Sequence, residues 1–191
     1  MIPSLSIRVH HVESFSHVNG PGVRTVIWTQ GCDLHCHGCF NPATHDMNGG
    51  YRIEIEELAD QILSHSAQTE GITISGGEPL LQIPPLTALV ELIRNNSKSS
   101  IILYSGFTWG SIQQLPDIQK LLDNIDVLLA GPYIETHRVA SAMVGSSNKT
   151  LHFLTQRYQE SDFNKVSPAE VIITSTGEIH FCGIDPIQWQ K

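Results

Sequence analysis

Residues 24–42 read RTVIWTQGCDLHCHGCFNP, and the fold turns on this stretch. The β-branched and aromatic run Arg24–Gly31 predicts a strand, led in by the turn formers Asn19-Gly20-Pro21-Gly22. Directly behind it stand Cys32, Cys36 and Cys39 in the spacing C-x3-C-x2-C. A disulfide framework would scatter cysteines along the chain to close loops, whereas three crowded onto one loop read as metal ligands. A ligand loop behind a strand also sits where parallel α/β sheets gather their chemistry, at the carboxyl ends of the strands.

Outward from this point, short β-rich runs alternate with amphipathic stretches, the pattern of βα units and a parallel sheet. Ile53–Ser66 fits a helix, with Ile55, Leu58, Ile62 and Leu63 at helical spacing. Gly71–Ser75 is a second strand, Leu86–Arg94 a helix behind Pro84-Pro85, and Ile101–Ser105 a third strand. A helix around Ile112–Leu122 is offset or broken by Pro116. Asp126–Ala130, Thr150–Leu154 and Val171–Thr174 complete six strands, and Thr176-Gly177-Glu178 turns into a short terminal one, Ile179–Cys182. The expected architecture is a partial parallel (β/α)6 barrel in one domain spanning residues 1–191, with its core at about 12–183. Four unusual loops follow successive strands: Gly31-Cys32, Ser75-Gly76-Gly77-Glu78-Pro79, Ser105-Gly106-Phe107 and Gly131-Pro132-Tyr133. Their shared rim implies a shared pocket.

Zinc in a structural site takes four ligands, commonly in two short-spaced pairs. Here the fourth cysteine, Cys182, stands far from the other three, so a zinc knuckle would need His35, His37 or His45 and would leave Gly76-Gly77-Glu78 unexplained. Thiolates equally suit an iron–sulfur cluster, and three of them leave one iron of a [4Fe–4S] cubane open to another ligand.

C-x3-C-x2-C after a first strand, with Gly76-Gly77-Glu78-Pro79 after the second, resembles the signature of the radical S-adenosylmethionine (SAM) superfamily. The stretch Ser14–Arg24, with Gln30-Gly31-Cys32 and Cys39-Phe40-Asn41-Pro42, resembles glycyl-radical-enzyme activases. Tyr104–Thr108, Asp126–Tyr133 and Gly145-Ser146-Ser147-Asn148-Lys149 are similar to motifs of the anaerobic ribonucleotide-reductase-activating proteins. The likeness runs from about residue 12 to 183, and no cysteine between Cys39 and Gly76 supplies a second cluster there.

The resemblance implies one [4Fe–4S] cluster on Cys32, Cys36 and Cys39 and SAM on its open iron. Reductive cleavage then gives a 5′-deoxyadenosyl radical that abstracts hydrogen from a glycine of a partner glycyl radical enzyme of the ribonucleotide-reductase kind. A flavodoxin or ferredoxin would donate the electron. For SAM it implies Phe40, Ser75, Gly76, Gly77, Glu78, Pro79, Ser105, Asn148 and Lys149. The glycines would let the backbone approach the methionyl amine, and Glu78 would accept a hydrogen bond or support its loop. The chain departs from the pattern at Asn19 (usually Asp), His45 (usually Trp), Lys149 (usually Gln) and Cys182. A radical SAM enzyme acting on a metabolite or peptide, and a non-catalytic metal-binding module, stay open beside the activase.

Other residues have simpler readings. Ser105 suits a turn as well as a ribose contact, and Asn148-Lys149 a plain loop. Arg24 suits a structural ion pair, His10, His11 and His17 a surface or strand edge, and Cys182 a small apolar core position. Trp28, Trp109 and Trp189 read as packing residues. The composition fits a folded domain, with 40% hydrophobic and 16% charged residues over 191 positions. The formal charge of −8 argues against nucleic acid or anionic membrane as partners. No apolar run approaches the ~20 residues of a membrane span, and Met1–Leu5 lacks a basic start with an apolar core, so a cytoplasmic location is expected.

Overall fold

The computed structural model describes residues 5–141, 143–173 and 176–184; the readings of Thr174 and Trp189 fall outside these. Alternation along the strands sets the layout. In β2 (Arg24–Thr29), β4 (Gly71–Gly76), β5 (Ser100–Ser105) and β6 (Val127–Ala130), Ile27, Ile72, Ile74, Ile101, Leu103, Leu128 and Ala130 point to one face. They pack there against α1 (Ile55–Ser64), α2 (Ile83–Asn96) and α4 (Ile118–Leu122) in the larger core. The same helix seats Leu58, Ala59 and Ile62 of α1 at its buried side, and Glu56 and Glu57 in its first turn complement the helix dipole. α2 opens with Pro84 and Pro85, where missing N–H groups cost nothing.

β1 (Ser6–Ser16) and β3 (Tyr51–Glu54) extend the sheet on the other side of β2. With β9 (Thr150–Phe153) it has seven strands in the order β3-β1-β2-β4-β5-β6-β9. Only β2, β4, β5 and β6 run parallel; β1 and β9 are antiparallel to their neighbours. This corrects the expectation of six parallel strands. A parallel return needs a crossover that carries the chain from one rim to the other. Among the described residues between β6 and β9 there is no such helix, only a 3-10 turn at Glu135–His137 and the short hairpin of β7 (Arg138–Ser141) and β8 (Val144–Ser146). The chain therefore re-enters from the rim where it left, running the other way. The expected sixth strand and the terminal strand instead pair with each other as β10 (Ala169–Ile173) and β11 (Ile179–Gly183), a separate hairpin. Around Pro116 the anticipated helix splits into α3 (Trp109–Ile112), capped by the Thr108 hydroxyl, and α4. Among the described residues, no helix is long and apolar enough to cross a membrane.

The opposite sheet face is the interior. Ile102, Val127 and Leu129 meet Met143 and Phe163 there, the latter from α5 (Glu160–Phe163). Below them, at the amino ends of the strands, Arg24 lies fully buried. An ion pair was expected for it; the guanidinium instead donates to neutral acceptors, to Thr73 Oγ1 at 2.7 Å, Ser100 Oγ at 2.9 Å, the Ser100 carbonyl at 3.1 Å and the Ile72 carbonyl. Tyr158 accepts from Arg24 at 3.3 Å and donates to Glu70 at 2.9 Å, the nearest carboxylate in this network. Burial pulls the Arg24 proton affinity down, and Tyr158 and Glu70 offset part of that. A charged fork whose N–H groups are met by acceptors of adjacent strands is a floor for the interior. Arg24→Ala would orphan several buried acceptors at once and is expected to destabilise the fold by about 3 kcal/mol in urea unfolding, with Arg24→Met, which fills the volume, losing less.

Candidate functional site

At the carboxyl rim the chain leaves β2 through Gly31, whose φ of +100° suits glycine. Its N–H donates to the Thr44 carbonyl at 2.8 Å, and Cys32 N–H to that of His45 at 3.3 Å, so the segment after the cysteines ties down their start. The cysteine loop needs two further left-handed turns, at His35 (φ 47°) and Gly38 (φ 71°). Cys39 N–H closes a turn onto the Cys36 carbonyl at 3.2 Å, and Asn41 N–H points at Cys39 Sγ at 3.4 Å. Cys32, Cys36 and Cys39 all line one cavity of about 430 Å³, within the range of small-molecule sites. Burial raises the thiol pKa of Cys32 and of Cys39, against the N–H of Leu34 and of Asn41 respectively.

The loop after β4 is spliced onto the cysteine loop through backbone. Gly77 N–H donates to the Thr29 carbonyl and Glu78 N–H to that of Gly31, both at 2.9 Å. A Cβ on Gly76 would lie 2.5 Å from Thr29 N and O, and one on Gly77 would strike the Gly31 carbonyl. Here the close approach that demands glycine is made by the protein's own backbone, while both residues line the cavity. Glu78 is wholly buried and carries the junction to the third loop. Its Oε1 accepts from Leu80 N–H at 3.0 Å and Ser105 Oγ at 2.9 Å, and its Oε2 from Gly106 N–H at 2.7 Å. Burial raises its pKa, opposed by these three bonds and by the charge of Lys149. Pro79 is buried at the start of a 3-10 turn over Pro79–Gln82. Ser105 lines the cavity, but its proton goes to Glu78 and its oxygen also accepts from Phe107 N–H at 3.0 Å.

The segment between β6 and β9 straps the cysteine loop from outside. Phe40 packs on Tyr133 with centroids 4.7 Å apart, Arg138 lies 4.8 Å over its ring, and a side chain at Gly145 would collide with it. His37 meets Glu135 at 2.7 Å on the exposed side, and His35 lies edge-on to His45. Asn148 donates from Nδ2 to the Pro132 carbonyl at 2.8 Å, with Oδ1 buried and unpartnered; it is not among the residues lining the cavity. Lys149 does line it, with Nζ bonded to the Gly131 carbonyl.

Trp28 and Tyr104 were not anticipated in the lining. With Ser75, which was expected there, they stand at the carboxyl ends of neighbouring strands and line the cavity. Each stands one residue beyond the buried Ile27, Ile74 or Leu103, so strand alternation puts all three on the sheet face opposite the helices. Trp28, read as packing, is half-buried and stacked on His11 at 5.6 Å; Trp109 stacks on His152 at 4.4 Å. His10 and His11 are exposed at the cavity rim, and His17 is exposed. Cys182 is half-buried, and with Phe181 it forms part of a wall of the cavity contributed by β11; burial beside Glu170 and Glu13 pushes its thiol up to about 11.

The donor set suits an iron–sulfur cluster. Among the described residues no three His, Cys, Asp or Glu side chains are set to hold one metal ion. Ligands of a cubane bind separate irons at its corners and need no common centre, whereas a zinc knuckle does. Three thiols on one strapped loop, facing a glycine-rich loop across a cavity at the rim of parallel strands, define a cluster-binding α/β protein. Residues 18–152 match the family described as the 4Fe-4S single cluster domain, and the chain belongs to that family.

Curated relatives carry the name pyruvate formate-lyase-activating enzyme. That of Clostridium pasteurianum is 37% identical over 112 residues, 56% of this chain and 47% of its own length. That of Staphylococcus epidermidis is 36% identical over 122 residues, 61% and 47%, and that of Staphylococcus aureus 41% over 93 residues, 46% and 37%. The chain thus spans about half the length of the relatives it matches or less. The resemblance to radical SAM glycyl-radical-enzyme activases is borne out by this match and these names.

The splice between the two loops predicts an unequal pair of glycine substitutions. Gly77→Ala is expected to abolish most cluster loading, read as iron and sulfide per chain after anaerobic reconstitution. Gly110→Ala, where an added Cβ meets nothing within 4 Å, is expected to load normally and to unfold no more easily.

Proposed function

We propose that this protein is a radical SAM enzyme of the glycyl-radical-activase type, acting in the cytoplasm as one domain with its core at about residues 12–183. One observation carries the reading: Cys32, Cys36 and Cys39 share a single cavity with Gly76, Gly77 and Lys149 at the carboxyl rim of the parallel strands. A [4Fe–4S] cluster with SAM bound supplies reductive cleavage of the sulfonium and a 5′-deoxyadenosyl radical able to abstract hydrogen.

The chain's own residues would do the following. Cys32, Cys36 and Cys39 hold the cluster as thiolates. The N–H groups of Leu34 and Asn41, aimed at Cys32 and Cys39, favour the deprotonated sulfurs that binding requires. Ser75, Gly76 and Gly77 offer backbone and a hydroxyl along the wall beside the cysteines. Glu78, Pro79 and Ser105 keep that wall in register with the third loop rather than reaching a ligand. Phe40, Tyr104 and Tyr133 present aromatic surface for an adenine and exclude water around a reactive centre. Asn148 acts from behind, through the Pro132 carbonyl. A curved, part-barrel interior closed below by Arg24 leaves the rim as the way in.

The substrate in this reading is a glycine on a partner enzyme. The ribonucleotide-reductase kind is favoured by the motifs at Tyr104–Thr108, Asp126–Tyr133 and Gly145–Lys149, while the relatives are named for activating pyruvate formate-lyase. A flavodoxin or ferredoxin is the electron donor that the resemblance implies.

Anaerobically reconstituted protein, reduced with dithionite in the presence of SAM, is expected to release 5′-deoxyadenosine, and Cys36→Ala to release none. Frozen with an anaerobic ribonucleotide reductase or with pyruvate formate-lyase, the wild type should yield a glycine-centred doublet by electron paramagnetic resonance with one of them. Deoxyadenosine without a doublet from either would move the substrate to a metabolite or peptide. Stable zinc with no product would leave a metal-binding module.

A further inference from the structure

Among the described residues lining the cavity, Lys149 is the only lysine or arginine and Glu78 the only carboxylate. The two do not neutralise each other by contact. Both oxygens of Glu78 are occupied by Leu80, Ser105 and Gly106. The ammonium of Lys149 is tethered to the Gly131 carbonyl, with no salt bridge to it among the described residues. Gly131, at φ +124°, passes close to the residue it tethers: a Cβ there would lie 3.4 Å from Lys149 Cα. The result is a held cation in the cavity that the three cysteines share. Its charge acts on those of Cys36, Glu78 and Cys39, in a cavity whose lining includes the apolar side chains of Leu34, Phe40 and Met143.

A cluster on three thiolates gains a further negative charge when it takes up an electron. A fixed cation nearby stabilises that reduced form, since net charge and surroundings set cluster potentials. We infer that Lys149 raises the reduction potential of the cluster through space, without ligating it, so that this chain's cluster accepts an electron more readily than the same loop with an uncharged residue there. The inference rests on the cluster-binding reading above and adds to it a role that contact with a bound carboxylate would not supply.

The two roles separate in a redox titration of the full chain, anaerobically reconstituted and followed by electron paramagnetic resonance, with no SAM present. Lys149→Gln keeps an N–H donor for the Gly131 carbonyl and removes the charge; Lys149→Arg keeps the charge. The glutamine variant is expected to be reduced with an equilibrium constant about tenfold lower, about 59 mV more negative for a one-electron couple, and the arginine variant to stay near the wild type. Equal potentials in wild type and Lys149→Gln would overturn the inference, whatever happens to SAM affinity. So would a charge needed only for assembly, seen if Lys149→Gln and Lys149→Met both fail to load iron while Lys149→Arg loads fully. Failure of the wild type itself to assemble a cluster would instead sink the functional reading.

Discussion

One buried anion holds the rim of this molecule together. Glu78 reaches from the loop after β4 to the loop after β5, and three donors meet its carboxylate, two at Oε1 and one at Oε2. Its own N–H meanwhile bonds to Gly31, at the root of the cysteine loop. Three consecutive strand ends are thereby fixed relative to one another by one residue. A charge taken out of water needs such complete hydrogen bonding, and an anion short of one donor would cost more than an apolar side chain in its place. The positions of the sulfurs and of the glycine wall follow from that requirement.

The same logic runs at the opposite end, with the sign reversed. Arg24 satisfies the amino ends of β4 and β5 as Glu78 satisfies their carboxyl ends. Between the two lies an apolar middle of Ile102, Val127 and Leu129. Hydrogen bonding at both ends of the interior gives the strands a defined register with no close ion pair to Arg24 or Glu78 among the described residues.

The order of the parallel strands and the cysteine and glycine loops were legible because each carries a local signal. Thiol spacing, Gly-Gly and β-branched runs are written in consecutive residues. Two kinds of feature were not. The direction of β9 depends on what lies between it and β6, and the stretch 131–149 contains turn residues that do not declare a hairpin. The role of Ser105 depends on Glu78, 27 positions earlier, and a hydroxyl beside a loop reads the same whether it meets a ligand or a buried carboxylate. Gly76 and Gly77 were singled out for a close approach to a ligand, and the steric reason the structure supplies is the backbone of Thr29 and Gly31. Cys182 looked like core because nothing in its own sequence neighbourhood says that β11 folds back beside the cysteine loop.

The guanidinium floor has a consequence for traffic. Arg24 and its partners fill the amino ends of the strands, and the cavity of the described residues lies at the opposite end, at the cysteine rim. Under the function proposed above, a small cofactor held deeper than a polypeptide guest would have to arrive before it and leave after it.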